Sequence, residues 1–408
     1  MKKISVVYEG WGERWLLGEL ADDGRHLLFE YSAEALKQGL ELSPRHLALR
    51  ALAYGGFPPH QMRLPGLVAD SLPDGWGLVL MDRLMRKHGR DPSTLSPLDR
   101  LAFIGKRAMG ALTFEPSLSM ALPEEDVHLL ALAQQAQALV TDRDSHALRQ
   151  LTLMGGSPHG ARPKVLVHYD AATGLMSTAP FEGSAPWLVK FQAQGEHKEV
   201  CAIEHLYSEL ARDYGLEMPP TRYFDLDKKL AGFGVARFDM ERGMRVPVHT
   251  LAGILNANFR LPSAVDYTTF MRVTRFMTQS QAEVDKAFER AVFNVVFNNR
   301  DDHAKNLSFR LGQDRRWRLA PAYDLTFCEG PSGEHQMDVC GEGRHVTRAR
   351  MLELASQGGV AMGLANATLD RAVALVDELA ARAAAHPIRP ATVKRIQLAV
   401  QACRDSLG

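Results

Sequence analysis

The chain has 408 residues, 46% hydrophobic and 24% charged, the balance of an ordinary globular protein and not of a disordered one. Its length exceeds what a single hydrophobic core usually holds, so two or more domains are expected. Lys plus Arg equals Asp plus Glu at 48 each, which excludes a polyanion-coating protein unless a local basic patch exists.

In chain order, "ISVVYEG", "ERWLLGEL" and "HLLFEYS" are short apolar or alternating runs separated by Gly and Asp-Asp-Gly, the pattern of an antiparallel meander. "SLPDGWGLVLMDRLMRKHG" reads as a turn followed by a helix closed by Gly89. "LDRLAFIGKRAMGALTFEP" reads as a short helix running into a strand. Two Ala-rich stretches, "LAQQAQALV" and "ELAARAAAH", read as helices. "GGSPHGARPKVLVHYD" is a Gly-rich loop entering a strand, and "APWLVKFQ" is a second strand. The helix "HKEVCAIEHLYSELARDYGLEMPP" repeats Val200, Ile203, Leu206 and Leu210 at helical spacing and ends near Gly215. "TRYFDLD" and "FGVARFDM" are two more short strands. Beyond about residue 240 the chain reads as mostly helical. There "SQAEVDKAFERAVFNVVFNN" opens with a predicted capping box, Ser280 and Glu283, and buries Val284, Phe288, Ala291 and Val295. From residue 368 onward two amphipathic helices are expected, split by "HPIRP".

Cys201, Cys328, Cys340 and Cys403 form no CxxC pair, so neither a cysteine zinc site nor a disulfide framework is expected. The start, "MKKISVVYEGWGERW", lacks an apolar leader core, and no apolar run reaches the roughly 18 residues that span a bilayer. The expected compartment is the cytoplasm, with no membrane partner.

The stretch that carries chemistry is "FNNRDDHAKNLSF". Asp301 and Asn306 stand five positions apart, the spacing with which a phosphotransferase loop presents a carboxylate to a hydroxyl nucleophile and an amide oxygen to magnesium. "APAYDLT" offers Asp324 as the second metal carboxylate, and magnesium needs little more than such oxygens plus the phosphates of ATP. Each feature also has an ordinary reading. The loop could be a frayed helix end with His303 and Lys305 favoured by the helix dipole, and the Gly-rich stretch a plain turn. Lys190 could lie on an edge strand and Glu204 on a solvated helix face. The order along the chain favours the phosphotransferase: Gly-rich loop, strand Lys190, helix Glu204, Asp301/Asn306, Asp324. A hydrolase metal centre on Asp301, Asp302 and His303 is disfavoured, because no H-x-x-x-H or carboxylate–His pair completes it.

These motifs resemble the HipA family of bacterial serine/threonine kinases, the toxins of type II toxin–antitoxin pairs. The resemblance rests on "SLPDGWGLVLMDRL", "LDRLAFIGKRAMGALTFEP", "SPHGARPK", "IEHLYSELARDYGLEMP", "VARFDM", "NNRDDHAKNLSF" and "LAPAYDLT", which together span nearly the whole chain. It implies an α+β, two-lobed, protein-kinase-like fold with a mixed β N-terminal part and a mostly helical C-terminal lobe. The implied segments are an N-terminal subdomain at 1–118, an ATP-binding N-lobe at 119–240 and a catalytic C-lobe at 241–408. The implied activity is transfer of the ATP γ-phosphoryl group to a Ser or Thr of a protein, with an aminoacyl-tRNA synthetase as one expected target. A nucleotide-binding pseudokinase acting as co-repressor and a kinase with a non-protein acceptor are the alternatives.

By the same resemblance Asp301 is the catalytic base, aided by His303 and Lys305, and Asn306 and Asp324 are the magnesium ligands. Lys190, with Glu204, serves the ATP phosphates together with Gly156, Ser157, Gly160 and Lys164 of the phosphate loop. Ala236 and Phe238 fall at the adenine hinge, and Ser157 is the autophosphorylation candidate. The implied partner is a helix-turn-helix antitoxin of the HipB type, bringing operator DNA indirectly. Pro158, His159 and Pro163 make the loop more proline-rich than in better-known members, and "RFDM" stands where "RFDR" is usual. Asp302 is expected to be a bystander with its carboxylate in solvent.

Overall fold

The computed structural model describes residues 1–118, 128–138, 145–155 and 159–408. The chain divides into two compact units, Met1–Cys201 with Pro220–His249, and Ala202–Pro219 with Thr250–Gly408.

The first unit begins with the predicted meander. Strands β1 (Lys3–Tyr8), β2 (Trp15–Asp22) and β3 (Leu27–Tyr31) are joined by helix α1 (Ala33–Gln38) to β4 (Ala53–Tyr54). Helices α2 (Gly66–Ala69), α3 (Gly75–Lys87) and α4 (Pro97–Ile104) precede β5 (Leu112–Glu115), giving a sheet of order β4-β3-β2-β1-β5. Alternation puts Ile4, Val6, Leu17, Leu20 and Phe29 into its core. Ser96 caps α4 through a complete box with Asp99. Helices α5 (Leu129–Ala138) and α6 (Ser145–Gly155) lead to a second sheet. Its strands are β6 (Lys164–Tyr169), β7 (Met176–Ser177), β8 (Ala185–Phe191), β9 (Thr221–Asp225) and β10 (Ala231–Ala236), ordered β7-β6-β8-β10-β9. Strand β8 is therefore central, which excludes the edge position considered for Lys190. The ribbon β11 (Met240–Glu241) and β12 (Met244–Arg245) and the strand β13 (Val248–Thr250) follow.

The second unit is mostly helical. Helix α7 (Glu199–Tyr214) buries Leu206, Tyr207 and Leu210 and ends where Gly215 turns left-handed at φ +103°. After α8 (Leu251–Leu255) and α9 (Tyr267–Thr278) comes α10 (Gln281–Val296), which inserts Val284, Phe288, Ala291 and Val295 into the core as its spacing predicts. Its capping box is only half formed. The Ser280 hydroxyl accepts from Glu283 N–H at 3.4 Å, but the Glu283 carboxylate turns to the Leu319 N–H at 2.7 Å and Lys286 at 2.8 Å. A buried backbone donor outcompetes the cap. The hairpin β14 (Ser308–Leu311) and β15 (Trp317–Leu319) follows, then α11 (Arg348–Gln357), α12 (Met362–Val376), α13 (Leu379–Ala384) and α14 (Pro390–Leu407). The first of the two expected terminal helices is thus two, α12 and α13, separated at Asp377 and Glu378. Among the described residues no helix is long and apolar enough to cross a membrane.

Candidate active site

In the second unit, the loop leaving α10 is tied down at several backbone positions. The Tyr207 hydroxyl donates to Phe297 O at 2.7 Å, Asn299 pairs with Cys328 as a parallel bridge, and Arg300 N–H donates to Cys328 O at 3.2 Å. Asn306 then closes the loop. Its backbone N–H donates to His303 O and its side-chain Nδ2 to Asp301 O, both at 2.8 Å. The five-residue spacing is what lets the amide reach back to Asp301, an engagement made by Nδ2 and not by Oδ1.

The Asp301 carboxylate is half-exposed, with His303 Nε2 at 3.8 Å and Gln336 Nε2 at 3.4 Å. Burial raises its pKa, His303 opposes that, the charges of Asp324 and Asp302 raise it further, and the Gln336 hydrogen bond lowers it. A carboxyl shifted upward is a better proton acceptor when ionised. The imidazole of His303 packs 5.2 Å from the Phe259 ring, and Lys305 holds its ammonium 4.9 Å from the same centroid. Asp324 sits in the left-handed region at φ +57°, a strained conformation for a non-glycine residue. The preceding Tyr323 donates its hydroxyl to Lys305 O at 2.8 Å, which fixes this segment to the loop. The charge of Asp324 is felt at Asp301, which places both carboxylates in one neighbourhood.

Asp302 contradicts the sequence expectation. Its residue is 1% exposed, and its carboxylate accepts from the Tyr267 hydroxyl at 2.6 Å, His335 Nδ1 at 2.7 Å and Gln336 N–H at 2.8 Å. Asn294 Nδ2 donates to Tyr267 Oη at 2.9 Å, and Asn299 Nδ2 donates to Asn294 Oδ1 at 2.9 Å, extending the network back into α10. A buried carboxylate is tolerated only when so fully paired. Adjacent aspartates on an extended loop point opposite ways, so anchoring Asp302 inward turns Asp301 outward. Tyr267, Asn294, His335 and Gln336 belong to none of the site motifs, and Tyr323, inside "LAPAYDLT", carries no signal of its bond to Lys305 O, so sequence reasoning does not single them out.

The first unit collects the other candidates. Lys164 and Lys190 are directly opposed across β6 and β8, and Phe233 is opposite Lys190 on β10, so all three share one face. The Lys190 ammonium lies 5.9 Å from the Phe233 centroid, and Lys164, only 3% exposed, donates to His159 O. Two facing lysines concentrate positive charge suited to a phosphate chain. The end of the Gly-rich loop is held by the turn before α3. Gly160 N–H donates to Asp74 Oδ1 at 2.5 Å, Trp76 N–H donates to Gly160 O at 3.0 Å, and His159 Nε2 donates to Leu72 O at 2.8 Å. A Cβ at Gly155 would stand 2.0 Å from Lys164 O, so only glycine fits there. Gly156 and Ser157 lie outside the described residues. Ala236 ends β10, donating its N–H to Pro220 O at 2.9 Å, and Phe238 follows within the anchored stretch. Arg237 and Asp239 form a bidentate pair at 2.9 and 2.7 Å, and Asp239 also accepts from Gly110 N–H at 2.8 Å. Burial alone would raise the Asp239 carboxyl, but Arg237, the Gly110 N–H and Arg245 outweigh it and hold it below the ordinary value. Glu204, in the second unit, is 3% exposed and so is not on a solvated helix face.

The elements and loop chemistry define an α+β chain of the two-lobed, protein-kinase-like class. More particularly, it belongs to the HipA family: the HipA-like C-terminal domain matches residues 156–386 and the HipA N-terminal domain residues 9–115. It is similar to the Sinorhizobium fredii protein named "Putative kinase Y4dM", with 29% identity over 283 residues, 66% of this chain and 63% of that protein. The chain thus matches less than two thirds of that relative's length. Among solved structures it is similar to HipA in the Shewanella oneidensis complex of HipA, HipB and operator DNA. That likeness has a TM-score of 0.71 at 16% identity and covers 98% of this chain and 96% of the other.

Proposed function

We propose that this protein is an ATP- and magnesium-dependent serine/threonine protein kinase of the HipA toxin type. The observation that carries the reading is the loop closed by Asn306 on Asp301, which turns a carboxylate of raised pKa outward while its neighbour Asp302 is locked in the core. In the proposed reaction the acceptor hydroxyl gives its proton to Asp301 as its oxygen bonds to the γ-phosphorus. The bond from that phosphorus to the β,γ-bridging oxygen breaks, and ADP leaves. Asn306 and Asp324 would hold the magnesium, which when bound neutralises charge on the phosphates. Lys164 and Lys190 would hold the phosphate chain, with Gly156, Ser157 and Gly160 supplying the loop. Ala236 and Phe238 would meet the adenine, Glu204 would assist nucleotide binding, and His303 and Lys305 would orient the base and approach the γ-phosphate.

In this reading the three segments 1–118, 119–240 and 241–408 are the functional subdivisions. Ser157 is the autophosphorylation site, where about two added negative charges would oppose ATP phosphates. A helix-turn-helix antitoxin of the HipB type is the partner, in keeping with the operator complex of the similar Shewanella protein. The test is to incubate purified protein and cell extract with magnesium and ATP and map phosphopeptides. New phosphoserine or phosphothreonine, absent with Asp301→Asn, is expected; identical maps for both proteins would reject the reading.

A further inference from the structure

Away from the Asp301 loop, the second unit brings together two imidazoles and a carboxylate. His205 and Glu209 are one turn apart on α7, and His386 follows α13. His386 Nε2 lies 3.0 Å from Glu209 Oε2 and 3.4 Å from His205 Nδ1, and His205 Nδ1 lies 3.9 Å from Glu209 Oε1. The side chains are 17%, 36% and 12% exposed for His205, Glu209 and His386, which leaves the cluster open to an ion on its Glu209 side.

The hydrogen bonding of His386 restricts what the cluster can be. Its Nδ1 is 3.0 Å from the carbonyl oxygen of Arg382. A carbonyl only accepts, so Nδ1 carries the proton and the neutral ring presents a lone pair at Nε2. At 3.0 Å that lone pair faces a carboxylate oxygen, a contact that is repulsive unless a positive charge lies between them, whereas His205 Nδ1 at 3.4 Å meets it either as a donor or as a second ligand. The Arg382 guanidinium does not supply it, being engaged by Glu378 and Asp213. The remaining choices are a proton on His386 or a metal ion.

Geometry favours the metal. Zinc bonds nitrogen and carboxylate oxygen at about 2.0–2.2 Å, so the edge of its tetrahedron is roughly 3.3–3.5 Å. With Glu209 contributing one carboxylate oxygen, the three ligand atoms lie within 4.8 Å of one another, so small side-chain rotations bring them onto that edge. The bond from Nδ1 to a backbone carbonyl is the usual outer support of a ligating histidine. We infer that His205, Glu209 and His386 bind a divalent transition-metal ion of the zinc type, with water as the fourth ligand. The ion clips α7 to the segment between α13 and α14. The site is independent of phosphoryl transfer and of the ligands Asn306 and Asp324.

The test starts from full-length protein stripped with a chelator and refilled with zinc or cobalt(II). Mass-spectrometric metal analysis after gel filtration is expected to find one zinc per chain. Cobalt is expected to give the intense visible bands of tetrahedral coordination, and zinc to raise Tm by a few degrees. His205→Ala, His386→Ala and the isosteric Glu209→Gln should each weaken binding at least tenfold. Asp324→Asn should retain it. Circular dichroism and urea melts in chelator establish that the variants fold, and Glu209→Gln, which keeps the side-chain shape, decides the matter if an alanine variant does not. No stoichiometric zinc in the refilled wild type, unchanged binding in Glu209→Gln and both folded alanine variants, or loss of binding in Asp324→Asn would each overturn the assignment.

Discussion

Replacing Asp302 with alanine should damage the fold and the loop together. The carboxylate is buried and receives hydrogen bonds from Tyr267, His335 and Gln336 at 2.6, 2.7 and 2.8 Å. A hydrogen bond to a charged group contributes about 1.5–3 kcal/mol, and three such bonds set an upper figure of about 4.5–9 kcal/mol. Water entering the space of the lost carboxylate would recover part of this, which leaves a cost of about 3–5 kcal/mol, the usual range for breaking a buried charged pair. At roughly 2–4 °C per kcal/mol, Tm should fall by about 10 °C. Asp302→Asn should cost less, about 1–3 kcal/mol, because the amide keeps one acceptor but turns an NH2 toward a donor. Urea titration of the three proteins gives the stabilities, and phosphoryl transfer measured well below the new Tm gives the effect on the loop, expected to be at least a tenfold loss for alanine. If Asp302→Ala lies within about 0.5 kcal/mol of wild type, the carboxylate is behaving as a surface group and the reasoning fails.

Three further outcomes can be checked separately. Lys190→Met removes one of two opposed ammonium groups and should weaken ATP binding about ten- to a hundredfold by calorimetry; unchanged affinity would remove Lys190 from the nucleotide site. Asp239, whose carboxyl is held below the ordinary 3.8, contributes stability that is present above that value and lost as pH falls through its lower folded pKa. The Tm gap between wild type and Asp239→Asn should therefore be widest near neutrality and shrink as pH falls from about 5 to 3, and a constant gap would contradict the pairing with Arg237. Gly155→Ala should cost about 1–3 kcal/mol in a denaturant melt, because its Cβ would meet Lys164 O at 2.0 Å; a neutral result would mean that α6 and β6 separate freely.

Local periodicity made most elements legible. The meander of β1 to β3 and the buried face of α10 follow from alternation and helical spacing alone, because each is decided by which side chains leave water. The five-residue spacing singled out Asp301 and Asn306 as a pair, but not the bond from Asn306 Nδ2 to Asp301 O that closes the loop. What could not be read was set by distant partners. Glu283 abandons its cap for Leu319, and Asp302 is buried by Tyr267 and by His335 and Gln336, residues that no window around the loop contains. The His205–Glu209 pair shows a helical ligand spacing in plain sight, but it gains meaning only when His386 arrives from the far end of the unit.

The central claim concerns Asp301 as the proton acceptor in phosphoryl transfer. Its most direct test is the pH dependence of γ-phosphoryl transfer from ATP, in magnesium, for wild type and Asp301→Asn. Burial and the neighbouring carboxylates raise the folded pKa of Asp301 above the ordinary 3.8, so the carboxylate form and the wild-type rate should increase as pH rises through that raised value. Asp301→Asn should lose that acid limb and about 10²–10⁴-fold in rate while remaining folded. A variant that transfers phosphate at the wild-type rate with the same profile would contradict the account.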